Sequence, residues 1–192
     1  KAVSSEKGAM VAILGLGRET VDQLCEQDKG EVVAANYNCP MQVVISGLRE
    51  EVQRVAEACK ELGARKTMFL PVSAPFHSPL LQEAEDRLAR ELDSVTFSEL
   101  QFPVIDNASA SLNLTAVEAK CSLKRQVTSP VRWEESVTEA AKAGVSTFIE
   151  VGPGKVLSGL VTRIVDGART FQVGDSEGLD RVLESLKSGD AE

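Results

Sequence analysis

The segment Pro71-Val-Ser-Ala-Pro-Phe-His-Ser-Pro79 holds His77, the single histidine among 192 residues. Imidazole is the side chain best suited to exchange a proton near neutral pH, so such a transfer in this chain depends on His77. Apolar residues precede the segment and leucines at helical spacing follow it, which predicts a loop between a strand and a helix. Loops on a rigid scaffold often carry catalytic groups, but they also carry inert polar side chains. His77 is therefore a candidate general base, with an inert surface imidazole as the alternative.

The first third of the chain is interpreted as a complete small unit. Its order is βαββαβ, the split βαβ pattern of ferredoxin-like folds, so we predict a ferredoxin-like small domain over 9–71. A turn at Tyr37-Asn-Cys-Pro40 separates the middle strands, and Gly63 ends the second helix. The predicted strands are 9–14, 32–36, 42–46 and 66–70, and the predicted helices are 19–26 and 49–62.

Residues 72–192 have a different organisation, in which short strands alternate with longer helices. This pattern predicts an α/β domain with a parallel sheet, although few strands are visible. We therefore interpret 72–192 as the end of a larger domain. Gly152-Pro-Gly154 is interpreted as a strand-to-helix turn, because it lacks the spacing of a phosphate-binding loop. The predicted strands are 102–107, 147–151 and 170–173, and the predicted helices include 79–92 and 156–164.

Composition excludes several function classes. The formal net charge of -8 is spread over both halves, which argues against a nucleic-acid partner. The four cysteines form no C-x-x-C pair and have no histidine beside them, so neither a metal site nor a disulfide framework is expected. No signal peptide or stretch of membrane-spanning length is seen, so we expect a cytoplasmic protein that does not enter membranes.

Four segments of the chain carry a resemblance to a known family. They are Asn36-Tyr-Asn-Cys-Pro-Met-Gln-Val-Val-Ile-Ser-Gly47, residues 71–80, Arg125-Gln-Val-Thr-Ser-Pro-Val-Arg-Trp133 and Ile149-Glu-Val-Gly-Pro-Gly-Lys-Val-Leu-Ser-Gly159. In this order they resemble malonyl-CoA:acyl carrier protein transacylases of the acyltransferase family. The resemblance implies an α/β-hydrolase-like large domain, with 72–192 as its carboxyl-terminal part, and an inserted ferredoxin-like small domain. It also implies ping-pong transfer of a malonyl group from malonyl-CoA to a serine and then to the thiol of acyl carrier protein, with no cofactor.

The resemblance implies roles for particular residues. His77 matches the general base, and Gln126 matches the residue whose main-chain carbonyl orients the imidazole in place of a triad carboxylate. Phe76 matches the bulky residue of malonyl-selective enzymes, although a packing role explains an aromatic equally well. Asn36 is a candidate contact to the acyl group from the small domain.

Three cations flank Gln126 and form a candidate docking patch for the carrier protein. Carrier proteins of this pathway are acidic, whereas this chain is itself acidic, so local cations would be needed at the entrance. A solvated face is the alternative, because isolated cations are common on any surface. The candidates are Lys124, Arg125 and Arg132.

The family nucleophile lies in a Gly-His-Ser-Leu-Gly elbow, and no segment of this chain is interpreted as that elbow. Gly144-Val-Ser146 begins one but continues differently. The elbow, an oxyanion-hole loop and a carboxylate-binding arginine all precede Lys1 in family order. We therefore expect a carboxyl-terminal part that is inactive without the amino-terminal part of the same enzyme. The alternatives are an acyltransferase domain of a polyketide or fatty acid synthase, and a non-catalytic ferredoxin-like binding module.

Overall fold

The computed structural model describes residues 8–28 and 30–187. They form two compact units, of which the first ends at Ser136 and the second begins at Val137. In chain order the elements are β1 (Gly8–Leu14), α1 (Arg18–Gln27), β2 (Val33–Cys39), β3 (Gln42–Leu48), α2 (Arg49–Glu61), β4 (Lys66–Phe69), a short 3₁₀ turn (Pro79–Leu81), α3 (Gln82–Ser94), β5 (Val104–Ile105), β6 (Leu112–Asn113), α4 (Ala116–Arg125), α5 (Trp133–Lys142), β7 (Thr147–Val151), α6 (Val156–Ile164), β8 (Arg169–Val173) and α7 (Ser176–Lys187).

The first unit is built on a four-stranded antiparallel sheet of order β2-β3-β1-β4. Alternate side chains of a strand point to opposite faces. In β1 the set containing Val11 and Ile13 joins one apolar cluster, and the set containing Met10 and Ala12 joins another. Both faces of this central strand are therefore covered, which explains why its sequence is a continuous apolar run rather than an alternating one.

Helix α2 shows how the sequence pattern becomes a packed element. Val52, Val55, Ala56 and Cys59 recur at helical spacing, and all four are buried against the sheet. Burying a valine side chain contributes about 1.5–3 kcal/mol, so this stripe holds the helix on the sheet. The helix ends before Gly63, whose φ of 96° is accessible to glycine without steric cost.

The turn predicted at 37–40 is shorter in the structure. Strand β2 continues through Cys39, and the chain reverses at Pro40 and Met41, where Met41 has a φ of 62°. Two register shifts in the β2–β3 pairing extend the strand past Asn36. On the outer edge of β2, the N–H of Tyr37 donates a hydrogen bond of 2.9 Å to the carbonyl of Val131. This contact is distant in sequence, so turn propensity alone did not reveal it.

The strand predicted at 102–107 is reduced to β5, which pairs with β6 in an antiparallel ladder of two residues each. Asp106 ends it by folding the chain back. Its carboxylate accepts hydrogen bonds from the N–H and hydroxyl of Ser109 and from the side-chain amide of Asn113, at 2.6–2.9 Å. Burial acts to raise the pKa of Asp106, but these hydrogen bonds outweigh it and lower the pKa. The segment between β5 and β6 is therefore an ordered turn.

The second unit contains a parallel pair, β7 and β8, and the helices α6 and α7 pack against these strands. The predicted parallel arrangement is thus found for the strands at 147–151 and 169–173, whereas β5, from the strand predicted at 102–107, pairs antiparallel with β6. Among the described residues no helix has both the length and the apolar character needed to cross a membrane.

Candidate active site

The backbone at His77 is held in an uncommon conformation. His77 has a φ of 58°, in the left-handed region that non-glycine residues seldom occupy and that recurs at functional sites. Its neighbours fix this geometry, because Pro75 and Ser78 are fully buried and the hydroxyl of Ser78 donates a hydrogen bond of 2.7 Å to the carbonyl of Pro75. The structure therefore presents a half-buried imidazole on a rigid loop.

Gly8, at the start of β1, lets this loop approach the sheet. A Cβ atom at this position would lie 2.4 Å from the Cδ of Pro75, closer than two carbon atoms can pack. A side chain at Gly8 would consequently push away the segment that carries His77. The anchoring of the loop depends on a glycine far from it in sequence.

The imidazole of His77 meets the main chain of Gln126. The Nδ1 atom of His77 lies 3.1 Å from the carbonyl oxygen of Gln126. A carbonyl oxygen can only accept, so in this contact Nδ1 carries the hydrogen and donates it. Nε2 of the neutral ring then keeps its lone pair and is available to take a proton. The structure brings together the two residues predicted to form the base and its orienting group.

Gln126 lies at the carboxyl end of α4 beside a cavity of about 430 Å³. Its side-chain Nε2 is buried and has no hydrogen-bond partner among the described residues. The cavity wall is mostly apolar, with Phe97, Leu100, Val104 and Leu123 among its residues and Asp106 and Asn113 as polar members.

Two further contacts hold the segment after Gln126. The hydroxyl of Thr128 donates a hydrogen bond to the Glu85 carboxylate on α3. Val131 runs parallel to the outer edge of β2, where its N–H donates to the carbonyl of Ala35 at 2.8 Å. No spacing or motif singled out Glu85 or Thr128 in the sequence, because their pairing depends on how α3 packs.

The candidate substrate contacts have different surroundings. Phe76 has 45% of its surface exposed, so its ring is free to contact another molecule. Asn36 is half-buried and lies opposite Val131 in the parallel bridge. The structure thus places Asn36 beside the segment that follows Gln126.

Two of the three candidate docking cations are already paired within the chain. The ammonium group of Lys124 lies 2.5 Å from the Asp93 carboxylate, and Arg132 forms an ion pair with Glu135. Arg125 is exposed, and no ion pair involves it within the described part of the chain. Of the three candidate cations, Arg125 is therefore the one most available to a partner, because the other two are ion-paired within the chain.

An ionic cluster that sequence reasoning missed joins α1 to α5 within the first unit. Arg18 lies 2.5 Å from Glu135 and 3.9 Å above the ring of Tyr37. Burial acts to raise the pKa of Glu135, but hydrogen bonds from Arg18 and Arg132 outweigh it and lower the pKa. Arg18 and Glu135 are far apart in the sequence, so only the packing of α1 and α5 brings them together.

One segment does have the general form of a nucleophile elbow, Gly-x-Ser-x-Gly, although none is interpreted as such from the sequence. It lies at 174–178. A nucleophile elbow needs a strained turn at the serine, whereas positive φ among described non-glycine residues is confined to Met41, His77 and Ala110. Ser176 instead begins α7, and the carboxylate of Asp175 accepts the N–H of Gly178 at 2.8 Å, as in a helix cap.

Gly152-Pro-Gly154 forms the predicted turn between β7 and α6. The Glu150 carboxylate accepts hydrogen bonds from the N–H groups of Leu157 and Ser158 at 3.1 and 2.8 Å. A side-chain carboxylate therefore occupies the helix end where a phosphate would bind. The hydroxyl of Ser158 also donates to Glu150, which ties this serine into the cap.

No group of three or more potential metal ligands occurs in residues 8–28 and 30–187. The cysteines at 25, 39 and 59 are buried and free, and Cys121 is exposed and free. Burial raises the pKa of Cys25 to about 12 and that of Cys59 to about 11, so both remain thiols at neutral pH.

Comparison with known proteins gives consistent similarities. An acyl transferase domain model matches residues 1–178. The malonyl CoA-acyl carrier protein transacylase of Bacillus subtilis (strain 168) is 42% identical over 190 residues, covering 97% of this chain and 60% of that protein. Its counterpart in Escherichia coli (strain K12) is 40% identical over 186 residues, covering 96% and 60%.

Solved structures show the same similarity. An acyl carrier protein S-malonyltransferase from Vibrio cholerae has a TM-score of 0.91 and 43% identity, covering 95% of this chain and 60% of that one. A malonyl-transacylase solved in complex with its type II PKS acyl-carrier protein has a TM-score of 0.93 and 39% identity, covering 96% and 60%. The fold is thus α/β, and the chain spans about 60% of the length of the relatives it matches. These similarities, together with the match over residues 1–178, show that the chain belongs to the acyl transferase domain family.

Proposed function

We propose that this chain is the carboxyl-terminal part of a malonyl-CoA:acyl carrier protein transacylase and carries its general base. The observation behind the proposal is the 3.1 Å contact between Nδ1 of His77 and the carbonyl oxygen of Gln126. It leaves Nε2 as the proton acceptor, and the neutral carbonyl takes the orienting place that a carboxylate has in a serine triad. The similarity to malonyl transacylases supports the same assignment.

The proposed reaction has two half-reactions. In the first, His77 takes the hydroxyl proton of a serine as the serine oxygen attacks the malonyl thioester carbonyl. The carbon–sulfur bond then breaks, and the proton passes from His77 to the departing coenzyme A thiolate. In the second, His77 takes the proton of the carrier-protein thiol, which attacks the serine ester. Serine leaves with that proton, so the enzyme is regenerated.

We propose that the serine, the oxyanion-hole loop and the carboxylate-binding arginine come from an amino-terminal part of the same enzyme. The chain spans about 60% of its relatives, and Gly-His-Ser-Leu-Gly does not occur in it. A base without its nucleophile performs no acyl transfer, so we expect the 192-residue chain to be inactive by itself.

The domain assignment also remains a proposal. Residues 9–71 would be the ferredoxin-like small domain, which the antiparallel order β2-β3-β1-β4 supports. Residues 72–192 would be the carboxyl-terminal part of the α/β-hydrolase-like domain, which the parallel β7–β8 pair supports. The proposed boundary at residue 71 lies inside the first compact unit.

Phe76 and Asn36 are proposed to contact the malonyl group. Phe76 adjoins the base and has its ring exposed, which supports a role in acyl selectivity. The carrier protein is proposed to dock near Gln126, with exposed Arg125 as the main contact. Lys124 and Arg132 are the weaker candidates, because each is held in an ion pair with a carboxylate of the same chain.

A second carrier context has its own support. The malonyl-transacylase with a TM-score of 0.93 was solved with a type II PKS acyl-carrier protein. An acyl transferase of this kind could therefore serve polyketide rather than fatty acid carriers, with the same chemistry at His77.

The test is acylation by labelled malonyl-CoA of two proteins, the complete polypeptide that includes the amino-terminal part and the 192-residue chain. We expect a hydroxylamine-sensitive serine ester on the complete protein only, and its discharge onto a carrier protein of fatty acid or polyketide synthesis will identify the context. Absence of the ester from the complete protein, or transfer by the 192-residue chain alone, would overturn the proposal.

A further inference from the structure

The contact between His77 and Gln126 depends on a main-chain oxygen, whose direction is set by the backbone around it. Gln126 is the C-cap residue that follows α4, and the chain after it is irregular as far as α5. The side chain of Gln126 gives no anchorage, since its buried Nε2 lacks a hydrogen-bond partner among the described residues. The N–H of Gln126 donates a helix-type hydrogen bond of 3.0 Å to the carbonyl of Ser122, and contacts in the segment that follows add to this anchorage.

Val131 supplies one of these contacts at the far end of the segment, through its pairing with β2. In the middle of the segment, the Thr128 hydroxyl donates a hydrogen bond to the Glu85 carboxylate. Both side chains are half-buried. A hydrogen bond to a charged acceptor is about twice as strong as one between neutral groups, and partial burial shields it from competing water.

Glu85 is well placed for this purpose because of the helix that carries it. Glu85 lies in the first turn of α3, and only the 3₁₀ turn Pro79–Leu81 and Ser78 separate this helix from His77. The Glu85–Thr128 pair thus joins the helix that follows the imidazole to the segment that follows the carbonyl. The His77–Gln126 contact already connects these two parts of the chain, and the Glu85–Thr128 pair, whose residues are 43 positions apart, is a second connection between them.

We propose that Glu85 and Thr128 are positioning residues that hold the Gln126 carbonyl against Nδ1 of His77. This inference deepens the proposed function and rests on it for its catalytic consequence. The pair itself touches no substrate. It fixes the imidazole tautomer, with hydrogen on Nδ1 and a lone pair on Nε2, because the hydrogen bond at one ring nitrogen decides which nitrogen is protonated.

The tautomer can be measured by NMR in the complete polypeptide that includes the amino-terminal part. The experiment records the ¹⁵N chemical shifts of both ring nitrogens of neutral His77, whose signals are identified by their loss in His77→Asn. We expect the Nδ1–H form to dominate in the wild type and in Thr128→Ser, which keeps the hydroxyl. In Thr128→Val and Glu85→Ala the Nε2–H form should gain population.

Asp86→Ala is the matched control. Asp86 lies on the same helix and accepts a hydrogen bond from Gln82 at 2.9 Å within α3. The Asp86→Ala variant should leave the tautomer of His77 unchanged. Glu85→Ala keeps a good helix former at an α3 position, so this variant remains informative if Thr128→Val does not fold. An unchanged tautomer in either folded variant would overturn the positioning role.

In the complete protein, Thr128→Val and Glu85→Ala should lower kcat/KM for malonyl transfer by about 10–10²-fold, because a small misplacement of a catalytic group has effects of this size. Most of this loss should be in kcat. Thr128→Ser should restore most of the loss. A changed tautomer without any malonyl transfer by the wild type would refute the proposed function alone, whereas full activity in both variants would refute the positioning role alone.

Discussion

Nδ1 of His77 lies 3.1 Å from the carbonyl oxygen of Gln126, a residue 49 positions later in the chain. The acceptor is a neutral main-chain dipole and carries no charge that would hold the imidazolium. In the proposed function, His77 takes a proton from a hydroxyl and releases it again to a thiolate, as two half-reactions require. This relationship underlies the first prediction.

In the complete protein, changing His77 should lower malonyl transfer by about 10²–10⁴-fold, the usual contribution of general base catalysis. His77→Asn is the cleaner variant, because asparagine tolerates the positive φ of 58° and can still donate to the Gln126 carbonyl, but cannot take a proton. Stopped-flow acylation by malonyl-CoA measures the effect. Near wild-type turnover in His77→Asn would contradict the role as base.

Phe76→Ser should raise the use of methylmalonyl-CoA relative to malonyl-CoA, because a smaller side chain beside the base opens space next to the acyl group. The gain is bounded by the value of one methylene in an apolar pocket, about 1–3 kcal/mol. The ratio of the two kcat/KM values measures it. Phe69→Ser is the matched control, since Phe69 is exposed to 44% and Phe76 to 45%. An equal change in both variants would indicate a general packing effect.

Arg125→Glu should slow transfer to the carrier protein several-fold, through the association rate and more strongly at low salt, since exposed charges act mainly by steering. Acylation by malonyl-CoA should change less. Lys124→Glu and Arg132→Glu should have smaller effects on the affinity for the bound carrier protein, because each of these cations is already held in an ion pair within the chain. Arg65→Glu changes the net charge equally at another exposed position. Equal losses from Arg125→Glu and Arg65→Glu would reject a docking role.

Tyr37, the only tyrosine, should titrate with a midpoint of about 12 in the folded protein and near 10.0 in the unfolded chain. Burial raises the pKa of its phenol first, and the hydrogen bond of 2.8 Å donated to Asp22 raises it further. Ultraviolet absorbance of the phenolate measures both values. A folded-state midpoint near 10.0 would contradict this prediction.

A raised pKa stabilises the fold below the unfolded-state value, and this stabilisation is lost as the pH rises through about 12. Tyr37→Phe should therefore lower the free energy of unfolding by about 1 kcal/mol at neutral pH, from the lost hydrogen bond to Asp22. The variant should also remove the part of the loss of stability between pH 10.0 and about 12 that comes from ionisation of Tyr37. Denaturant unfolding at both ends of that interval measures it.

The sequence by itself determined the order of the elements and the candidate base. Apolar positions at periods of two and 3.6 are local properties, so α2, β1 and β7 lie close to their predicted bounds. The choice of His77 needed only its residue type and its place between a strand and a helix. The role of Gln126 came from the resemblance of its segment, since no local property of a glutamine points to its carbonyl.

Tertiary structure decided which groups meet, although the resemblance had already implied the contact between His77 and Gln126. The pairs His77–Gln126, Thr128–Glu85 and Lys124–Asp93 join residues 49, 43 and 31 positions apart. Such pairings depend on how helices and strands pack in three dimensions, and no local pattern contains that information. The same packing paired two predicted docking cations with carboxylates, joined Val131 to the edge of β2 and placed Glu85 against the segment that follows Gln126.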